Sequence, residues 1–235
     1  MDITKYKNKR FSILGDSIST FEGYTNPANA VFYDREHKIS SGVLTILDTW
    51  WGILIEKLGG EFWVNNSISG STVTWHPLYE VESYGCSDER TSSLGKDGVA
   101  PNVIIVYLGI NDFGAGVRVV NDKLEGGKNE LAIFSIAYRE MLEKLKKNYP
   151  NAEIWCLTLP ISRCSKKERF EFPFYNGGWH LLEYCDAIRE SVLEYDCKLI
   201  DLYKNCESYD TLDGFHPNGE GMREIAFAVL NSLSE

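Results

Sequence analysis

Short runs of apolar and β-branched residues recur along the chain, each bounded by turn-forming residues. Five such runs predict β-strands, at residues 10–14, 61–66, 103–108, 154–159 and 198–202. Between the strands, apolar residues recur at intervals of three and four, which is typical of amphipathic helices. The clearest helical pattern covers residues 131–145 and ends before Pro150, and further helices are predicted at residues 49–58, 178–195 and 220–233.

The alternation of strands and helices predicts an α/β fold, with a parallel sheet covered by helices on both faces. The chain has 235 residues and contains no internal repeat, low-complexity tract or Pro/Ser-rich linker. Residues 1–235 are therefore predicted to form a single domain. A domain of this length buries roughly 70% of its unfolded surface, so its stability requires neither disulfides nor a metal ion.

Three segments are longer than ordinary connections in such a fold: residues 18–48, 71–102 and 113–128. They are too rich in aromatic residues for disorder, as shown by Phe21, Tyr24, Phe32, Tyr33, Trp75 and Tyr79. We therefore expect ordered structure in these segments, close to a pocket.

The charge of the chain disfavours several kinds of partner. Lys and Arg together number 24 and Asp and Glu 34, which gives a formal net charge of −10. Such a surface repels nucleic acid and anionic bilayers, so neither nucleic-acid binding nor stable membrane association is expected. The first 15 residues lack an apolar segment of signal-peptide length, which leads us to expect a cytoplasmic protein. The six cysteines form no Cys-x-x-Cys pair, so reduced thiols are predicted, without a metal or other cofactor.

Polar residues cluster just after the predicted strands. Ser17 follows the first strand, Gly70 the second and Asn111 the third, while Asp213 and His216 come after the fifth. Ligands of open parallel sheets bind beyond the carboxyl ends of the strands. A hydroxyl nucleophile, a backbone donor, an amide and a carboxylate–imidazole pair are the groups that acyl transfer requires.

Each of these residues also has an ordinary structural interpretation. Ser17 could cap a helix, Gly70 could be a turn glycine and Asn111 could form an Asx turn. Asp213 and His216 could cap the last helix. The combination favours catalysis, because an Asp and a His three residues apart can share one face of a turn, where the carboxylate fixes the imidazole tautomer.

Four sequence blocks together resemble the SGNH (GDSL-type) hydrolase family, and the resemblance extends over almost the whole chain. The blocks are Gly15-Asp16-Ser17-Ile18, Gly70, Gly109-Ile110-Asn111-Asp112 and Asp213-Gly214-Phe215-His216. They follow one another in the family's order, and the one departure is Ile18, where the name-giving motif has Leu. The resemblance implies a flavodoxin-like three-layer α/β/α sandwich with a five-stranded sheet in the order 2-1-3-4-5.

The resemblance also implies a role for each matching residue. Ser17 would be the nucleophile, His216 the general base and Asp213 the carboxylate that orients the imidazole. The backbone N–H groups of Ser17 and Gly70 and the side-chain amide of Asn111 would form the oxyanion hole. The implied reaction is hydrolysis of carboxylic esters through an acyl-enzyme. We expect short acyl groups, such as acetyl, on a carbohydrate or another neutral small molecule.

Other functions stay open at this point. The chain could hydrolyse lipids or thioesters, or it could be a metal-dependent phosphoesterase that uses Asp16, Asp112 and Asp213. It could also be a non-catalytic sugar-binding module. Trp75 and Trp179 lie in loop-like segments, where they could form a flat surface for a sugar ring or simply anchor the loops.

Overall fold

The centre of the protein is a five-stranded parallel sheet. The computed structural model describes residues 3–75, 84–120 and 130–233. Its sheet strands are β1 (Arg10–Gly15), β2 (Glu61–Asn65), β3 (Val103–Tyr107), β4 (Glu153–Leu157) and β5 (Lys198–Ile200). They lie in the order β2-β1-β3-β4-β5, and all neighbours are parallel. The predicted strands and their order are therefore confirmed.

Helices cover both faces of this sheet. They are α1 (Arg35–Ser41), α2 (Trp50–Leu58), α3 (Asp88–Ser92), α4 (Ile110–Gly114), α5 (Phe134–Asn148), α6 (Leu181–Glu194), α7 (Leu202–Asn205) and α8 (Gly219–Ser232). Helix α2 packs against α8, while α5 packs against α3 and α6. Right-handed crossovers place α2 on one face and α3, α5 and α6 on the other, because the chain moves from β1 to β2 in one direction and from β2 through β3 to β5 in the other. Helix α8, which follows the last strand, packs on the face of α2. The predicted three-layer sandwich is confirmed.

The central strands are apolar along their whole length because both of their faces are covered. All five residues of β3 are buried, and β1 is buried from Phe11 onward. Helix α2 adds Trp50 and Trp51, which are both fully buried. A strand that is buried on both sides cannot alternate between apolar and polar residues, so its uninterrupted apolar run follows from its central position.

Helix α6 begins at Leu181, three residues later than its sequence pattern predicts. The residues just before it, Trp179 and His180, pair instead with Tyr175–Asn176 in a short antiparallel hairpin. His180 then caps the helix, since its Nδ1 accepts a hydrogen bond from the backbone N–H of Leu182. The imidazole therefore satisfies one of the unpaired donors of the first turn.

The first long segment is ordered. The 3₁₀ turn Ser17–Ser19 leads into it, and it contains α1 and a second 3₁₀ turn, Ile46–Asp48. Parts of the other two long segments, including Tyr79, lie outside the described residues. None of the helices in the described ranges is both long and apolar enough to cross a membrane.

Candidate active site

The end of β1 places Ser17 in a tight turn at the carboxyl edge of the sheet. Asp16 caps this turn, because its Oδ1 accepts a hydrogen bond of 3.0 Å from the backbone N–H of Ile18. The carbonyl oxygen of Ser17 accepts a hydrogen bond of 2.9 Å from the hydroxyl of Thr20. Only 4% of Ser17 is exposed to solvent, but the residue lines a cavity at this edge. Its backbone is thus fixed on both sides while its hydroxyl is accessible from the cavity.

A second turn, just before α8, presents an imidazole to Ser17. Oδ1 of Asp213 accepts hydrogen bonds of 2.9 Å from the backbone N–H groups of Phe215 and His216, which closes the turn. Oδ2 of the same carboxylate lies 2.7 Å from Nδ1 of His216. The other ring nitrogen, Nε2, lies 2.9 Å from Oγ of Ser17. A continuous chain of hydrogen bonds therefore runs from the carboxylate through the imidazole to the hydroxyl.

The charge of Asp213 decides which nitrogen of His216 carries the proton. Partial burial alone would raise the pKa of Asp213, but hydrogen bonds from the His216 ring and from two backbone N–H groups hold that pKa well below its ordinary value. Asp213 is therefore a carboxylate at neutral pH. A carboxylate beside Nδ1 favours the tautomer with the proton on that nitrogen, which leaves Nε2 free to accept the proton of Ser17.

Two further predicted site residues, Gly70 and Asn111, line the same cavity. Gly70 follows β2 with a φ of +82°, in the left-handed region that favours glycine. Asn111 is the second residue of α4, and Gly109, which precedes the helix, has a φ of +128° that turns the chain sharply after β3. The Asn111 Nδ2 donates to the carbonyl oxygen of Ser71 at 2.9 Å. Because a primary amide carries two hydrogens, the second is available to a ligand.

These residues surround one cavity of about 410 Å³. Ser17, Gly70, Asn111 and His216 line it together with apolar groups that include Ile18, Ile110, Ala115 and Phe215. A larger groove of about 650 Å³ runs along the edge of β2, between Tyr24 and Trp63, and none of the predicted site residues lines it. Since chemistry requires reactive groups, the smaller cavity is the candidate active site.

Comparison with known proteins agrees with this architecture. The sequence model described as GDSL-like lipase/acylhydrolase matches residues 9–162, which is well over half of the chain. The chain belongs to this family. Membership identifies it as a GDSL-like hydrolase.

Solved structures of similar proteins extend over the whole chain. A Bacteroides uniformis protein named as a GDSL-like lipase has 30% sequence identity and a TM-score of 0.71, covering 100% of this chain and 99% of its own. A Bacteroides ovatus protein of the same name has 29% identity and a TM-score of 0.71, covering 97% and 99%. A carbohydrate acetylesterase from Sinorhizobium meliloti shares the fold at 14% identity, with a TM-score of 0.63 and coverage of 97% and 99%. No curated protein matches the chain significantly.

In this GDSL-family hydrolase, two buried charged residues, Arg90 and Asp112, hold the turn after β2. The sequence pattern did not connect either of them with this turn. Arg90 of α3 donates to Ser71 Oγ at 2.7 Å and, through its other terminal nitrogen, to the carbonyl oxygens of Gly15 and Asn66 at 2.9 Å. The sequence alone gives Asp112 as a member of the third block and as a candidate metal ligand. Its carboxylate accepts hydrogen bonds from the backbone N–H groups of residues 73 and 74 at 2.8 and 3.1 Å. The backbone around Gly70 is thus tied to β1, α3 and α4.

The two tryptophans proposed for sugar stacking do not line this cavity. Neither Trp75 nor Trp179 is among the described residues that line it. The backbone N–H of Trp75 donates to the carbonyl oxygen of Leu131 at 2.9 Å, and the ring of Trp179 is partly buried against the hydrophobic core. Their role in binding a sugar stays a prediction, because a substrate larger than the cavity would extend beyond its lining.

The three carboxylates of the metal-dependent alternative have separate partners. Asp16 caps the turn of Ser17, Asp112 binds the backbone after Gly70, and Asp213 pairs with His216. Among the described residues, no group of three His, Cys, Asp or Glu side chains is arranged to hold a metal ion. The arrangement that the alternative requires is therefore not found in this part of the chain.

Proposed function

We propose that this GDSL-family hydrolase cleaves carboxylic esters through an acyl-enzyme formed on Ser17. The observation that carries the proposal is the chain of two hydrogen bonds, 2.9 Å from Ser17 Oγ to His216 Nε2 and 2.7 Å from His216 Nδ1 to Asp213 Oδ2. A serine hydroxyl is a weak nucleophile unless an adjacent base takes its proton, and this arrangement supplies the base and its orienting carboxylate.

The reaction has two halves that use the same groups. As Ser17 Oγ attacks the ester carbonyl, its proton passes to Nε2 of His216, and the Asp213 carboxylate stabilises the resulting imidazolium. The oxyanion would receive hydrogen bonds from the backbone N–H groups of Ser17 and Gly70 and from the Asn111 amide. His216 then returns the proton to the leaving alkoxide. A water molecule, deprotonated by the same imidazole, releases the acid and restores Ser17.

The cavity favours a small, uncharged substrate. Its volume of about 410 Å³ is at the lower end of typical small-molecule sites, and apolar side chains contribute much of its lining. The net charge of −10 disfavours anionic substrates. The fold shared with a carbohydrate acetylesterase is consistent with an acetyl ester of a carbohydrate. We therefore place short acyl esters of a carbohydrate, or of another neutral small molecule, ahead of lipids and thioesters.

The test is the initial rate on p-nitrophenyl acetate, butyrate and octanoate, with and without a chelator. Ser17→Ala should lower kcat on the order of 10⁶-fold, because the nucleophile is lost. Ser92→Ala, a change at an exposed serine of α3, is the matched control and should retain the wild-type rate. Among the three p-nitrophenyl esters, we expect the highest rate on the acetate. The next measurement is the release of acetate from acetylated sugars, which we also expect the enzyme to catalyse.

Two of the alternatives have their own result in this experiment. Loss of turnover in the chelator would support the metal-dependent phosphoesterase class, to be followed with phosphate esters. A preference for octanoate would support a lipid acylhydrolase. Equal turnover by Ser17→Ala and wild type on every ester would refute the proposal.

A further inference from the structure

The ring of His216 is stacked face to face on the phenyl ring of Phe32. The ring centroids are 3.5 Å apart, and the planes differ by only 7°. The two ring nitrogens of His216 already contact Asp213 and Ser17 at the ring edge. Those edge contacts leave the imidazole free to tilt, and the stack with Phe32 opposes that tilt.

The segment that carries Phe32 is tied to both catalytic turns. The backbone N–H of Phe32 donates to Thr20 Oγ1 at 2.9 Å, and the Thr20 hydroxyl donates to the carbonyl oxygen of Ser17 at 2.9 Å. The next residue, Tyr33, is fully buried, and its hydroxyl donates to the carbonyl oxygen of Pro217 at 2.6 Å. The phenyl ring is therefore held in a fixed position relative to Ser17 and to His216.

A second imidazole packs against Phe32. The ring of His37 lies 4.3 Å from that of Phe32, at an angle of 31°. Nδ1 of His37 is 2.9 Å from Oδ1 of Asp34, which orients this ring in turn. Phe32 thus contacts two imidazoles, and only that of His216 reaches the serine.

We infer that Phe32 is a positioning residue that keeps His216 aligned with Ser17 and stabilises its imidazolium form. The inference rests on the proposed function, in which His216 holds the proton while the tetrahedral intermediate exists. The face of a phenyl ring is electronegative and attracts a cation within about 6 Å. Loss of such a contact corresponds to roughly a 2- to 30-fold change in rate.

The charged and titratable groups near His216 are the same with and without the ring. Asp213 contacts its Nδ1, and Lys167 donates to the carbonyl oxygen of Asp213 at 3.0 Å. Asp16 lies buried beside Ser17, and His37 packs on Phe32. A change of Phe32 to Leu leaves these groups in place. Its effect on the pH profile therefore measures the contribution of the aromatic face of Phe32 to the stability of the imidazolium.

The first experiment compares Phe32→Leu and Phe32→Tyr with wild type on p-nitrophenyl acetate. Phe32→Leu should lower kcat roughly 2- to 30-fold with little change in KM. Since the imidazolium is less stable without the ring, more acid is needed to form it. The acid limb of the kcat/KM profile should therefore move to lower pH, by roughly 0.3 to 1.5 units.

Three comparisons make this result specific. Phe32→Tyr should keep the wild-type rate and the wild-type acid limb, because tyrosine retains the aromatic face. Phe227→Leu, at a residue of α8 that is 48% exposed, should match wild type in both. The shift caused by Phe32→Leu should persist when His37 is also changed to Asn, because it does not depend on the second imidazole. Wild-type kcat in Phe32→Leu, or a slower enzyme whose acid limb has not moved, would overturn the inference.

Proton NMR of the histidine rings separates this inference from the proposed function, because it does not require turnover. The ring protons of His216, identified by their loss in His216→Asn, should lie upfield in wild type because of the stacked phenyl ring. In Phe32→Leu they should move downfield and titrate at lower pH. If the wild type had no esterase activity but showed these shifts, only the proposed function would fail. Unchanged shifts and titration in Phe32→Leu would overturn the inference itself.

Discussion

At the scale of single residues, Asn111 combines a structural and a proposed catalytic task in one amide group. Its Nδ2 donates to the carbonyl oxygen of Ser71, next to Gly70. The same residue lines the cavity beside Ser17. Because one of its two N–H bonds holds the neighbouring donor loop in place, the other can be aimed at a developing oxyanion without reorganisation.

Replacement of Asn111 by Ala should therefore slow the enzyme without abolishing turnover. Removal of one oxyanion donor typically lowers kcat by about 10²- to 10³-fold, with a much smaller effect on KM. The measurement is steady-state kinetics on p-nitrophenyl acetate. Asn231→Ala, at an exposed position of α8, is the matched control. Full activity of Asn111→Ala would show that the amide does not contact the transition state.

At the scale of secondary-structure elements, Arg90 joins three parts of the carboxyl edge of the sheet. It is 2% exposed, and its guanidinium binds the end of β1, the end of β2 and the turn that follows Gly70. The planar fork of several donors suits this task, because one side chain can reach acceptors on separate segments. The proposed nucleophile and the proposed oxyanion hole therefore share one buried anchor.

Arg90→Met should destabilise the fold as well as the site. The carbonyl oxygens of Gly15 and Asn66 would lose a buried donor, at a cost of about 3 kcal/mol or more in the free energy of unfolding. This corresponds to a fall in Tm of roughly 6 to 12 °C for a chain of this size. Thermal melting followed by circular dichroism measures it, with Arg35→Met on the exposed face of α1 as control. A Tm equal to that of wild type would mean that Arg90 does not anchor these segments.

At the scale of the whole molecule, the sandwich buries two carboxyl groups beneath the site. Burial raises the pKa of Asp16 to about 7, and the neighbouring charge of Asp112 adds to that effect. Burial likewise raises the pKa of Asp112 to about 6, opposed by hydrogen bonds from residues 73 and 74. Both groups bind a proton more tightly in the folded state than in the unfolded chain, so both favour folding at acid pH.

The pH dependence of stability should reveal Asp16. Its ordinary pKa is about 3.8, so its contribution is complete below that pH and is lost as the pH rises towards 7. Asp16→Asn keeps a capping oxygen but cannot ionise. Between about pH 5 and 7, wild type should lose on the order of 2 kcal/mol of unfolding free energy that Asp16→Asn does not lose. Urea unfolding across this range measures the difference.

A matched change at the surface completes this test. Asp97 is exposed and has a φ of +53°, a conformation that Asn adopts as readily as Asp. Asp97→Asn should therefore follow the pH dependence of wild type. Parallel curves for wild type and Asp16→Asn would show that the Asp16 carboxyl binds its proton equally in the folded and unfolded states.

Features that repeat over a few residues were predictable from the sequence. Apolar runs located the five strands to within one or two residues, and the interval of three and four located α5. Ser17, Gly70, Asn111 and His216 were candidates because they follow predicted strands, and the family resemblance of their blocks implied their roles. The structure brings all four to one cavity. Such signals survive in the sequence because each depends on neighbouring residues of the same strand, helix or turn.

Only the tertiary structure showed what supports these groups. Arg90 and Gly15 are separated by 75 positions, and Tyr33 and Pro217 by 184, yet each pair is joined by a hydrogen bond. Phe32 was expected near a pocket, but its stacking on His216 could not be derived from an aromatic residue in a long loop. The sequence by itself determined the order of the elements and the candidate reactive groups, because those depend on local pattern. The folded chain decided their support, because burial, hydrogen bonding and ring stacking arise between segments that meet only after the sheet has formed.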